Sequence, residues 1–236
     1  MLIKIEVTKF CDQKCLHCSF SRKYSQDSRH LTLADLKNNS TLTSKLQNSH
    51  VLITGGEPLL NPEIFEIINY LSEKVVYITL ATNGLPLINN EKMIEQLAHS
   101  KVNEVLISVT TSSNEYKTVR NSDLLEKVVN LTQTLKAINP KMIITGNYLA
   151  HYDNFKELMN LIDLKSSFNK IRFLTYKESS NLLESPFKQM SFIQLLLLEL
   201  KLKLNSLFNF GSKFKFILLK PDNDDHLKDS LFVQVT

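Results

Sequence analysis

The stretch Ile3-Lys4-Ile5-Glu6-Val7-Thr8-Lys9-Phe10-Cys11-Asp12-Gln13-Lys14-Cys15-Leu16-His17-Cys18 sets the reading of this chain. Ile3–Thr8 alternates apolar and polar side chains and carries the β-branched residues that favour a strand. Directly behind it come three cysteines spaced CxxxCxxC, and they are the only cysteines in 236 residues. An odd, tightly clustered set does not read as a disulfide framework. It reads as a metal site in a reducing compartment.

Outward from that strand, short β-like runs alternate with longer helix-like ones. His50–Thr54, Val75–Ala81, Glu104–Val109, Lys141–Asn147 and Lys170–Tyr176 have the Val, Ile and Tyr content of strands. Between them, Pro62–Ser72, Glu91–Ala98, Leu124–Ile138 and Asn154–Leu164 repeat apolar residues at helical spacing. Asn61-Pro62 reads as a helix start with proline at the first position, and Asp153 or Asn154 as the cap of the last helix. Six strand–helix units in series predict a parallel α/β structure. The chain is short for a full barrel of about 250 residues, so we expect a partial (β/α)6 barrel over residues 1–184. Past Ser185-Pro186, an apolar helix at Gln189–Phe208 and strands at Lys213–Leu219 and Leu231–Val235 predict a short α+β extension, 185–236, packed on the barrel. In such a fold the segment after a strand lies at the rim where active sites form.

The bulk composition is that of an ordinary globular protein, with 43% hydrophobic and 22% charged residues. A net charge of +4 with dispersed Lys and Arg argues against nucleic acid as a partner. The N-terminus has no secretory pattern, and the run Leu195–Leu198 is far short of a membrane span. The expected location is the cytoplasm.

Three thiolates on one loop can hold three corners of a 4Fe-4S cluster, which leaves the fourth iron open to a further ligand. The rival is zinc, which takes four closed ligands in structural sites. His17 is the available fourth, though its place beside Cys18 makes a shared tetrahedron awkward. Other strand ends carry further motifs: Thr54-Gly55-Gly56-Glu57-Pro58, Ala81-Thr82-Asn83-Gly84, and Ile107-Ser108-Val109 followed by Asn114-Glu115-Tyr116-Lys117-Thr118-Val119-Arg120. Two glycines allow a ligand to approach the backbone closely, and Glu57 supplies a carboxylate acceptor.

Together these motifs resemble the radical S-adenosylmethionine (SAM) superfamily over most of residues 1–180. CxxxCxxC matches its cluster motif, with His17 at the position whose ring lies near the adenine. Gly55-Gly56-Glu57-Pro58 matches the segment that binds the SAM amino group, and Thr82-Asn83-Gly84 is similar to another family turn. The resemblance implies that Arg120 meets the SAM carboxylate, that Ser108 contacts ribose or carboxylate, and that Asn147 is a further cofactor contact. Two departures stand out: Thr110-Thr111 replaces the usual Asp-Gly, and Glu115-Tyr116 the usual His-Asp. The implied cofactors are one 4Fe-4S cluster and SAM. The implied chemistry is reductive cleavage of SAM to a 5′-deoxyadenosyl radical that abstracts hydrogen from substrate, with a flavodoxin- or ferredoxin-type electron donor. No catalytic side chain is expected beyond the cluster and SAM.

The branch resembled contains molybdopterin-precursor, quinone-cofactor and peptide-maturing enzymes. With no cysteine after Cys18, no cysteine-ligated auxiliary cluster is expected in this chain. Modification of a ribosomally made peptide is the leading expectation, and cofactor or small-metabolite synthesis the second. A non-catalytic iron–sulfur electron carrier or sensor is the non-enzymatic alternative. Tyr148, His151, Tyr176 and Lys177 are rim candidates for substrate contact, each more readily a loop or core residue, and Ser19–His30 is a candidate lid.

Overall fold

A computed structural model of the chain describes residues 1–18, 28–110, 112–161, 168–175, 187–188, 190–208, 215–219 and 231–233. Thr111, Tyr176, Lys177, Ser185, Pro186 and residues 19–27 of the candidate lid lie outside the described residues. The elements run β1 (Leu2–Glu6), α1 (Leu33–Asn38), α2 (Ser40–Leu46), β2 (His50–Thr54), α3 (Ile64–Ser72), β3 (Tyr77–Thr82), α4 (Glu91–His99) and β4 (Glu104–Val109). They continue α5 (Ser113–Arg120), α6 (Leu125–Ile138), β5 (Ile143–Ala150), α7 (Phe155–Leu161), β6 (Lys170–Thr175), α8 (Phe192–Phe208), β7 (Lys215–Leu219) and β8 (Leu231–Val233).

All strands pair in parallel, in the order β7-β6-β5-β4-β3-β2-β1-β8. The six strands read from the sequence therefore form an open α/β sheet in chain order. The two C-terminal strands do more than pack on it, since β7 pairs with β6 and β8 with β1. Each covers an edge that would otherwise present a row of unpaired backbone groups.

Alternation along the strands separates two faces. Ile3, Ile5, Val51, Ile53, Ile78, Leu80, Val105, Ile107, Ile144, Ile171 and Phe173 are buried in one core with Leu36, Leu42, Ile67, Leu71, Leu97, Val128 and Leu135 of the helices. Each such side chain contributes about 1.5–3 kcal/mol on burial. The opposite face carries Lys4, Glu6, Thr54, Tyr77, Thr79, Glu104, Ser108, Thr145, Asn147, Lys170 and Arg172. That polar face leads to the strand ends where the cysteine loop lies.

Some local expectations are corrected. The helix after β2 begins at Ile64 rather than Pro62. Buried Asn61 explains the shift, because its amide donates to Val7 O and Leu31 O while its Oδ1 accepts from Glu63 N–H, making a turn first. Asn154 stands before α7, but its Oδ1 accepts from the His151 N–H, so it holds the preceding loop. Helices α1 and α2 were not anticipated; Thr32 and Asn39 cap them. No described helix is long and apolar enough to cross a membrane.

Candidate active site at the strand ends

The cysteine loop leaves β1 and is laid across the turn that follows β2. Gly56 N–H donates to Thr8 O and Glu57 N–H to Phe10 O, each at 2.8 Å. A Cβ on Gly55 would stand 2.4 Å from Thr8 O, and one on Gly56 2.0 Å from Phe10 O. Gly55 also holds φ at +150°, a conformation that L side chains rarely adopt. What these glycines admit is thus the backbone of the cysteine loop itself, a role beyond the ligand approach expected from sequence.

Glu57 joins three strand ends. It is 1% exposed, and its carboxylate accepts from Leu59 N–H at 3.1 Å, Thr82 Oγ1 at 2.7 Å and Asn83 N–H at 2.7 Å. Burial pushes its pKa up to about 7; those donors oppose the shift and Asp12 adds to it. Of the roughly four lone-pair sites of a carboxylate, about one remains for a ligand. Pro58 opens the short 3-10 turn that follows. Asn83 extends the lattice: its Nδ2 donates to Asp12 Oδ1 at 2.7 Å and lies 4.0 Å from Cys11 Sγ, while its Oδ1 accepts from Leu85 N–H.

The cysteines are held from both sides. Gln13 N–H donates to Cys11 Sγ at 3.4 Å, the Cys15 thiol donates to Gln13 Oε1 at 3.5 Å, and Gln13 Nε2 donates to the Tyr116 hydroxyl at 3.5 Å. Leu16 N–H donates to Val119 O, tying the loop to the end of α5. There Arg120 is 5% exposed, with its guanidinium carbon 5.7 Å from the Tyr116 ring centre and Nε closed off without a partner. It ends a helix capped by Ser112. Burial pushes the Cys11 thiol up to about 12; for Cys15 burial also raises the pKa, and the Arg120 charge opposes it. Such thiols ionise when a bound cation supplies the charge.

These residues fit a cluster better than a single ion. Structural zinc takes four closed ligands, whereas this loop offers three thiols. A cubane takes each thiolate on a separate iron. Buried polar atoms without partners remain at His17 Nδ1 on the cysteine loop, at Arg120 Nε and, on β5, at Asn147 Oδ1. Burial pulls His17 down to about 3, with Arg120 and His151 adding, so the ring is neutral near pH 7.

Ser108 and Asn147 are register partners on β4 and β5, one row below the strand ends. Tyr148 is in the core, with ring centres 6.4 Å from Phe168 and 6.1 Å from Phe173. His151 Nε2 lies 3.0 Å from Glu115 Oε1, while Asp153 at 3.7 Å is too far for a hydrogen bond. Phe187 lies near both rings, tilted against His151 with centres 4.8 Å apart and edge-on to His17 at 6.4 Å. Sequence reading missed Gln13 and Phe187, whose single residue types carry no spacing signal.

A family model described as the radical SAM superfamily matches residues 5–164. A probable GTP 3′,8-cyclase of Methanocaldococcus jannaschii is 30% identical over 183 residues, covering 75% of this chain and 60% of that protein. The GTP 3′,8-cyclase of Clostridium acetobutylicum is 28% identical, covering 73% of this chain and 55% of its own length. The chain thus spans little more than half the length of these relatives. Among solved structures, Streptococcus suis SuiB bound to S-adenosylmethionine matches with a TM-score of 0.74 and 16% identity, over 93% of this chain and 50% of that one. At that identity the likeness shows the fold alone. The family match, which spans the cysteine loop and the turns after β2 and β3, places this chain in the radical SAM superfamily, whose enzymes use a 4Fe-4S cluster and SAM.

Proposed function

We propose that Cys11, Cys15 and Cys18 hold the cluster, and that SAM lies between the turns after β2 and β3 and the row across β4 and β5. The observation carrying this reading is the set of unpartnered buried atoms at His17, Arg120 and Asn147, at the end of the sheet where the three free thiols lie. When bound, the reduced cluster and SAM supply a 5′-deoxyadenosyl radical that takes hydrogen from an unactivated carbon. The chain's own residues bind and orient. Arg120 offers a guanidinium to the SAM carboxylate. Glu57 and the Gly55–Pro58 backbone face the amino group. Neutral His17 presents a ring to the adenine, and Ser108 and Asn147 reach the ribose. Gln13 and Asn83 fix the loop so that the thiols keep their positions. An external one-electron donor of flavodoxin or ferredoxin type completes the turnover.

For the substrate, the reading favoured is a ribosomally made peptide, supported by the fold likeness to SuiB, one structure of which is described as bound to the precursor peptide SuiA. The second reading, a cofactor or small-metabolite precursor, is favoured by the sequence likeness to GTP 3′,8-cyclases. Anaerobic reconstitution tests the cofactor assignment. The reduced protein should give a cluster signal in electron paramagnetic resonance that changes when SAM is added. The triple variant C11A/C15A/C18A should bind no cluster. An unchanged signal with SAM contradicts the reading.

A further inference from the structure

The polar face of β4–β6 is layered. In the lower layer every polar group is satisfied by its neighbours. Glu104 Oε1 accepts from Thr145 Oγ1 at 2.5 Å, and its Oε2 accepts from the Tyr77 hydroxyl at 3.0 Å and from Lys170 Nζ at 3.3 Å. One row nearer the strand ends, Ser108, Asn147 and Arg172 stand in register on three adjacent strands. There Asn147 Oδ1 and Arg172 Nε are both shut off from solvent with no hydrogen-bond partner.

Buried arginines are ordinarily paired, because an uncompensated charge is costly in a desolvated setting. Arg172 is partly buried with its Nε shut off from solvent, and although the Glu104 charge acts on it, it makes no ion pair among the described residues. Among the described residues no carboxylate lies within ion-pair distance of it, and Glu104, the acidic group on the same face of these three strands, is already taken by Lys170. This face of β4–β6 therefore carries two cations, Lys170 and Arg172, against one carboxylate. A guanidinium cannot relieve burial by losing its proton near neutral pH.

We propose that Arg172 is a substrate-binding residue that receives an oxyanion group, carboxylate or phosphate, of the molecule to be modified. This rests on the reading of the neighbouring row as the SAM site. Adjacent strands lie about 4.8 Å apart, so an anion on Arg172 sits one strand beyond Asn147 and the cofactor. The geometry suits a substrate gripped by its charged group while a nearby carbon faces the radical. An acidic peptide would supply a carboxylate and a nucleotide-like metabolite a phosphate, so the same arginine serves either substrate class.

The test is calorimetric titration of reconstituted, SAM-loaded protein at constant ionic strength, with succinate as the carboxylate probe and inorganic pyrophosphate as the phosphate probe. One of the two should bind saturably, and which one binds identifies the source. R172K should weaken it about ten-fold and R172M abolish it, as expected when about 1.4 kcal/mol or more of charge-assisted hydrogen bonding is lost. SAM affinity and melting temperature of R172M should match wild type, which separates a substrate role from a structural one. Absence of saturable binding by either probe, or unchanged binding in R172M, overturns the proposal. Loss of SAM binding in the wild-type protein would instead refute the underlying cofactor assignment.

Discussion

The turns after β2 and β3 and the row across β4–β6 both hold polar atoms shut off from solvent at the same end of the sheet. They differ in how these are satisfied. Glu57 and Asn83 spend their hydrogen bonds within the chain, linking β2, β3 and the cysteine loop. Asn147 and Arg172 leave polar atoms open. The first region acts as a scaffold that fixes three thiols. The second is arranged to be completed by something that binds. Stability should depend on the first and ligand affinity on the second.

The largest way to break this contrast is at the scaffold's closest contact. Gly56→Ala would drive a methyl into Phe10 O, and should cost about 3 kcal/mol or more. Urea unfolding should show the loss, and iron content after reconstitution should fall with it.

Next in size is the pH dependence written into Glu57. Its pKa in the folded protein, about 7, lies above the ordinary 4.5. The folded state therefore binds the proton more tightly, and this stabilisation is full below about 4.5 and lost as pH rises through 7. The effect is ~3 kcal/mol at most. Unfolding of the cluster-free protein from pH 4.5 to 8 should show this decline, and Glu57→Gln should remove it.

A matched pair sharpens the comparison further. Asn83→Ala should cost about 1–2 kcal/mol, because it strips Leu85 N–H and Asp12 of their partners. Asn147→Ala removes an amide oxygen that has no partner, and should stay within about 0.5 kcal/mol of wild type. Its SAM affinity should nevertheless fall. Denaturant midpoints beside SAM titrations on the two variants would show whether the roles separate this way.

Much of the first region was legible in the sequence. The cysteine spacing and Gly-Gly-Glu-Pro are local patterns, and period-two alternation marks β1 to β6 because one face packs on helices. Less legible was the reason for Gly55 and Gly56, which lies in a backbone contact with residues some 46 positions earlier in the chain. The pairing of β7 and β8 at opposite edges is equally non-local, and short strands carry no signal of their partners. Helices α1 and α2 escaped because the break at Asn39 divides their apolar residues into runs too short for a clear period. Arg172 reads from sequence as an ordinary strand residue; only register and an empty Nε single it out.

The cysteine loop, the Glu57 lattice and Arg120 are proposed to form together a working SAM site. Its most direct test is to reduce the anaerobically reconstituted protein in the presence of SAM and quantify the nucleoside released. 5′-Deoxyadenosine and methionine should appear in equal amounts, and neither should form with Cys15→Ala protein treated identically. A full cluster complement with SAM bound and no 5′-deoxyadenosine formed would contradict it.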